Sequence, residues 1–164
     1  MHKIALLATI SSLAAVPAVG LAKSLSYESG HYAGKTRQVN PSNVSPPGVH
    51  PSISFAASKR QVSHLVFGWY APCASGQGRD VASPRTSFSG SGPLTHGKFS
   101  GTEPGSLSVG PGYMAKLTYS FAGHYVKQNK VSGTLKVSGH VYDPKGNSVD
   151  TCSSGTVGWT ATRK

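Results

Sequence analysis

The sequence predicts an all-β protein, an antiparallel β-sandwich of about eight short strands. After the first 25 positions, apolar residues recur with a period of two, the spacing at which side chains alternate between the faces of a sheet. We find no 3.6-residue apolar period, which is the signature of helices. Glycine is frequent, 20 of 164 residues, and turns rich in Gly, Pro and Ser separate the apolar stretches. A partly open β-barrel is the alternative architecture.

The N-terminus has the pattern of a secretory signal peptide over residues 1–22. A basic start is followed by an apolar stretch and then by small residues, so cleavage near Gly20 or Ala22 is expected. The remaining residues, 23–164, have the length of one domain. We therefore expect a single secreted domain, extracellular or in the cell envelope, with no transmembrane segment in the mature chain.

The first half of the mature chain contains three predicted strands. Residues 26–36 form the first strand, and 39–51 form a loop dense in Pro, Asn and Ser. Residues 52–58 alternate as a half-buried strand. Residues 62–71 follow as a longer strand with Trp69 on its apolar face.

The middle of the chain is less regular. Residues 86–90 are expected to form a short strand, and another is expected around Phe99. The segment 102–112 contains several Gly and Pro residues and is expected to be mostly turn, with a weak strand at Leu107 and Val109.

Residues 114–150 predict a three-stranded meander. Two alternating segments joined at residues 127–129 place Phe121 opposite Leu135 and Tyr119 opposite Val137, with Asn129 in a left-handed conformation. The turn Asp143–Asn147 then returns the chain and places Val149 opposite Val141. Residues 156–163 form the last strand, with Trp159 facing inward.

Cys73 and Cys152 are the two cysteines of the chain, and we expect them to form a disulfide. Export places them in an oxidising compartment, and neither has a second ligand at metal-binding spacing. The predicted register puts Cys152 on the polar face, whereas Cys73 shares the apolar face of Trp69. We therefore expect either a strand break near Thr151 or a bridge at a sheet edge.

The chain is strongly basic, with 16 Lys and Arg against five acidic residues and a formal net charge of +11. Such an excess attracts anionic polymers such as acidic glycans or cell-wall polymers. The basic residues are spread singly or in pairs, which disfavours a dedicated nucleic-acid-binding arm. A solvated basic surface without a ligand is the alternative.

Catalytic motifs are mostly absent. The sequence has no G-x-S-x-G, no H-E-x-x-H and no phosphate-binding loop. The predicted register places His140 opposite Asp150 with Ser138 nearby, which a small hydrolase could use as a dyad serving a serine. An ordinary cross-strand ion pair is the alternative. We assign no catalytic residue, no metal site and no cofactor, and the sequence favours a non-catalytic protein.

The polar face of the meander combines hydroxyls, cations and an aromatic ring, a set suited to sugars or acidic glycans. We therefore predict a module that binds an anionic or carbohydrate polymer at the cell envelope. A purely structural envelope protein is the alternative. The candidate binding residues on this face are Lys116, His124, Lys136, His140 and Tyr142, and Tyr70 of the 62–71 strand is a candidate as an exposed stacking residue.

The order "GHYAGKT", "LVFGW" before a cysteine, "GKFSG", "SGTL" and a closing "CSSGTVGWTATR" resembles a family of small secreted bacterial β-rich proteins. These proteins typically end in C-x-x-G-x-V-x-W-x-A-x-R, a pattern that runs here from Cys152 to Arg163. The family has no assigned activity. The resemblance therefore implies an exported one-disulfide β domain, and it assigns no functional residue.

Overall fold

A computed structural model describes residues 27–76, 80–89 and 92–164. These residues form ten strands and no helix, so the all-β prediction is confirmed. The predicted signal peptide, residues 1–22, lies outside the described residues. The strands are β1 (Gly30–Thr36), β2 (Ser52–Ala57), β3 (Gln61–Ala71), β4 (Val81–Ser87), β5 (Gly92–Pro93), β6 (Lys98–Gly110), β7 (Tyr113–Lys127), β8 (Lys130–Tyr142), β9 (Ser148–Ser153) and β10 (Val157–Arg163).

The strands pair antiparallel in one continuous sheet with the order β4-β3-β2-β1-β10-β8-β7-β6, while β5 pairs with β3 and β9 with β8. The sheet curls until it is nearly barrel-shaped. Side chains bridge the two ends of this path. Just after β4, the Phe88 ring lies 4.5 Å from the Phe121 ring of β7. The Ser89 amide donates a 2.9 Å hydrogen bond to Glu103 of β6.

A single apolar core fills the inside of the curl. Trp69 and Trp159 are each 1% exposed, which confirms the inward orientation that their strand positions predict. Aromatic rings from different strands contact one another across the core; for example, Phe55 lies 6.0 Å from Trp159 and 5.7 Å from Phe99. Rings of this size dominate the apolar area that folding removes from water.

Glycine permits the close approach of backbone and rings in the curled sheet. Gly133 of β8 lies opposite Gly123 of β7. A Cβ atom on Gly133 would lie 2.0 Å from the Ala122 carbonyl oxygen and 2.3 Å from the Trp159 ring. Since real Cβ atoms do not approach this closely, any side chain at Gly133 would displace the strand or the indole.

The prediction that residues 102–112 are mostly turn is wrong. The turn is confined to residues 111 and 112, and residues 102–110 belong to β6, which pairs with β7 from Lys98 to Gly110. Its glycines are packing positions: a Cβ on Gly101 would lie 2.6 Å from the Phe121 ring, and one on Gly105 would lie 2.3 Å from the Tyr119 ring. Pro104 is tolerated because β6 ends the path of strands, and an edge strand does not need every N–H for pairing.

The predicted register of β7 and β8 is confirmed, because Phe121 pairs with Leu135 and Tyr119 with Val137. The details of the connecting turn were wrong. Lys127 pairs with Lys130, so the loop has two residues, and the register shifts between Tyr125 and Lys127. Asn129 is not among the described non-glycine residues with positive φ, which are His64 and His96.

The predicted pairing of Val149 with Val141 is also wrong. This error explains why the predicted register put Cys152 on the polar face and Cys73 on the apolar face. A register shift leaves Val149 unpaired and places Asp150 opposite Val141. One extra residue exchanges the faces of the rest of a strand. Cys152 therefore points inward and is 0% exposed, without a break in β9. The predicted Cys73–Cys152 disulfide is present and closes a separation of 79 residues.

We predict that replacing both Cys73 and Cys152 with Ser lowers the free energy of unfolding by about 4 kcal/mol, because the unfolded chain regains the entropy of a long loop. Urea denaturation followed by tryptophan fluorescence measures this change. The wild-type protein under reducing conditions serves as the control and should lose a similar amount. A loss below about 1 kcal/mol would show that the bridge does little to hold the fold.

Candidate functional site

The solvent side of β6, β7 and β8, here called the outer face, is a regular grid of polar side chains. Even-numbered residues of these strands point outward, and their pairing aligns them in rows of three. The rows are Lys98–His124–Ser132, Ser100–Ala122–Thr134, Thr102–Ser120–Lys136, Pro104–Thr118–Ser138, Ser106–Lys116–His140 and Ser108–Met114–Tyr142.

A groove follows the first three rows. Its larger part has a volume of about 870 Å³ and includes His96, Lys98 and His124. Its smaller part, about 260 Å³, includes Lys136. The two parts are continuous because both are lined by Ser100, Ala122 and Thr134. The groove thus carries lysines toward both of its ends and hydroxyls between them.

The outer face carries cations and no carboxylate. All five acidic residues of the chain lie elsewhere, and each is bonded within the protein. The bonded pairs are Glu28 with Arg163, Asp80 with Tyr70, Glu103 with Ser89, Asp143 with Asn147, and Asp150 with Ser75. Among the described residues, the Glu28–Arg163 contact is the one ion pair. No lysine of the outer face therefore forms an ion pair with a carboxylate in the part of the chain that the structure describes.

Five of the six predicted binding residues lie on the outer face, but in two groups. His124 and Lys136 line the groove. Lys116, His140 and Tyr142 lie beyond it and contact one another. The Lys116 Nζ atom is 4.8 Å from the centre of the Tyr142 ring, and the His140 and Tyr142 rings are 6.4 Å apart. This second group is a cluster packed on itself at the far end of the face.

Tyr70 is the sixth candidate, and it lies on β3, away from the outer face. Its hydroxyl donates a 2.5 Å hydrogen bond to Asp80, and its backbone N–H and C=O both bond to the Gln38 side chain. Burial, together with the bond to the Asp80 carboxylate and its charge, raises the pKa of Tyr70 to about 12. Tyr70 anchors two loops here and is not an exposed stacking residue.

The structure does not assemble the predicted His140–Asp150 dyad. His140 pairs with Thr151, and its Nδ1 lies 3.2 Å from the Thr151 hydroxyl. Asp150 faces inward, is 7% exposed, and accepts hydrogen bonds from the Ser75 amide at 3.1 Å and from the Ser75 hydroxyl. The shift at Val149 is the reason, because it moves Asp150 to the other side of the sheet.

Metal-ligating side chains do not gather in the described ranges 27–76, 80–89 and 92–164, where no group of three His, Cys, Asp or Glu residues is positioned to hold an ion.

Sequence reasoning missed the β6 contribution to the site, which consists of Lys98, Ser100 and Thr102. Expecting turn structure from residue 102 onward hid Thr102, and the short strand expected around Phe99 was not assigned a partner, so Lys98 and Ser100 were not placed beside β7. Their alternation with Phe99 and Gly101 was a readable signal, since Phe99 is buried and its neighbours are exposed. Lys98 is the most consequential of them because it lies at one end of the groove.

Comparison of the chain with protein-family models, with curated proteins and with solved structures finds no match. The resemblance seen in the C-terminal motif therefore stays a prediction. Within residues 27–76, 80–89 and 92–164, no helix is long and apolar enough to cross a membrane.

We predict that Asp80→Asn makes the free energy of unfolding depend less steeply on pH in the acid range. Hydrogen bonds from Tyr70 and from the Cys73 amide lower the pKa of Asp80 in the folded state. Its stabilising effect is therefore complete above its unfolded pKa of about 3.9 and is lost as the pH falls through the lower folded value. Urea denaturation at a series of pH values measures how steeply the free energy of unfolding falls with pH. An unchanged acid slope in the variant would contradict the assignment.

Proposed function

We propose that the protein is a non-catalytic module that binds a linear acidic polysaccharide across its outer face. The observation that carries the proposal is the separation of charge. The five acidic residues are all used in internal bonds elsewhere, while Lys98 and Lys136 stand without a counter-charge at a polar groove. Such a surface attracts polyanions and lacks carboxylates to repel them.

The spacing of the two groove lysines favours an extended ligand. Lys98 lies on β6 in the first row, and Lys136 lies on β8 in the third row. They are therefore two strand spacings apart across the sheet and four residues apart along it. With about 4.8 Å between strands and about 3.4 Å per residue, their Cα atoms lie about 17 Å apart. A single sugar ring cannot reach both ends, whereas a chain of several units can.

The hydroxyls between the lysines favour a sugar polymer over other polyanions. Ser100, Ser120 and Thr134 can each donate and accept hydrogen bonds, which matches the chemistry of sugar hydroxyls. Single-stranded nucleic acid is usually held by exposed aromatic platforms. Tyr142 is the one Phe, Tyr or Trp ring in the six rows, and Lys116 covers it. Export to the cell envelope, where such polymers occur, is part of the same proposal.

We predict that Lys98→Gln combined with Lys136→Gln weakens binding to polygalacturonate at low salt at least tenfold, about 1.4 kcal/mol. The matched control, Lys59→Gln with Lys145→Gln, removes the same charge from exposed turn residues that do not line the groove and should change affinity little. Isothermal titration calorimetry measures both, with dextran as the uncharged polymer and duplex DNA as a different polyanion. Equal losses in the two double variants, or equal affinity for DNA, would mean that net charge alone drives binding.

We also predict that Thr134→Val weakens the binding that persists at high salt about fivefold, since one lost hydrogen bond is worth about 1 kcal/mol. Salt screens the lysines and leaves the hydroxyl contacts. Thr162→Val, at an exposed position of β10, is the matched control. No salt-resistant binding by the wild-type protein would refute a specific sugar site.

A further inference from the structure

A second pocket lies on the other half of the sheet, beneath the loop between β1 and β2. It has a volume of about 230 Å³. Pockets for drug-sized ligands measure about 300–1,000 Å³, so this one suits a smaller molecule. It is lined by Lys35, Asn40, Val44, Pro46, Val49, His50, Pro51, Ser52, Trp69, Ser83 and Pro84.

Backbone bonds hold the loop that covers this pocket. The Thr36 amide donates to the Pro51 carbonyl at 2.8 Å, the Asn40 amide donates to Val49 at 3.0 Å, and the Gly48 amide donates to Asn40 at 2.9 Å. The Gln38 side chain also ties the loop to β3. The walls are therefore formed before any ligand arrives, which reduces the entropy lost on binding.

Asn40 supplies a buried hydrogen-bond acceptor without a partner. Its side chain is 8% exposed, and its Nδ2 donates to the Pro46 carbonyl at 3.1 Å. A carbonyl only accepts, so this bond fixes the amide orientation. The Oδ1 atom then has no partner among the described residues. Buried polar atoms are nearly always bonded, so this oxygen is an unmet acceptor on a residue that lines the pocket.

The remaining polar groups of the pocket add a second acceptor, a cation and hydroxyls. The His50 Nδ1 lies 2.9 Å from the Gln38 carbonyl, so it carries the proton, and in the neutral ring Nε2 is a second acceptor. Lys35 adds a cation, and Ser52 and Ser83 add hydroxyls. The other lining residues are prolines and valines, which suit the apolar face of a sugar ring, together with the buried Trp69.

We propose that this pocket binds one acidic monosaccharide, with ring hydroxyls donating to Asn40 and His50 and the carboxylate pairing with Lys35. The pocket's size limits the ligand to a single ring, and its two acceptors require a molecule rich in hydroxyl donors. The pocket shares no residue with the outer face. A negative binding result at this pocket therefore does not test the function proposed for the outer face, and the reverse also holds.

Titration of the full protein with galacturonate, followed by ¹⁵N–¹H correlation spectra, tests the proposal. We expect saturable shifts at the Asn40 side-chain amide at millimolar concentrations, because so small a ligand makes few contacts. Galactose, which lacks the carboxylate, should bind several-fold more weakly, and Lys35→Gln should remove that difference. Non-saturating shifts, or equal affinity for the two sugars in the wild-type protein, would overturn the proposal.

A pair of serine variants separates a site-specific effect from misfolding. Ser52 is exposed and lines the pocket, so Ser52→Phe should fill it and weaken galacturonate binding at least tenfold. Ser54 lies two residues further along β2 and is not a lining residue, so Ser54→Phe should leave the affinity unchanged. Dispersed spectra for both variants confirm folding. Unweakened binding to folded Ser52→Phe would show that the ligand lies elsewhere.

Discussion

The fold depends on one constraint: a single sheet curls around a single apolar core, so each strand must present alternate residues to the inside. Large rings from β2, β3, β7 and β10 fill that inside, and the glycines of β6 and β8 yield space to them. The side chains that do not face the core lie on the outside of the sheet. On β6, β7 and β8 this leaves an almost unbroken array of hydroxyls and cations on the surface.

The same constraint explains where the carboxylates are. The register shift at Val149 turns Asp150 and Cys152 inward together. Asp150 then bonds the Ser75 amide at 3.1 Å, and Asp80 bonds the Cys73 amide at 3.0 Å. Two of the chain's few acidic residues thus hold the segment around the disulfide. Because these and the other acidic residues lie away from the outer face, its lysines have no carboxylate in their rows.

Much of this arrangement was readable from the sequence. Clean alternation in β7 and β8 predicted their register and five outer-face candidates, because a period of two leaves few choices when one face is apolar. The same alternation in β3 and β10 predicted the buried tryptophans. The bulge at Val149 was not readable, since a single inserted residue has no composition signal, and it removed the His140–Asp150 pair. β6 was misread because glycine and proline usually signal turns, whereas here Gly101 and Gly105 accommodate rings from β7. Tyr70 was misplaced because its partners Asp80 and Gln38 lie in loops, whose positions strand periodicity does not predict.

We propose that the outer face, and not the net charge, selects the ligand. Adding a short polygalacturonate oligomer to the protein at high salt, and mapping the backbone amides that shift, tests it most directly. We expect shifts concentrated along β6, β7 and β8 around Lys98, Thr134 and Lys136. Shifts spread over unrelated basic positions such as Lys59 and Lys145, or their complete loss at high salt, would contradict it.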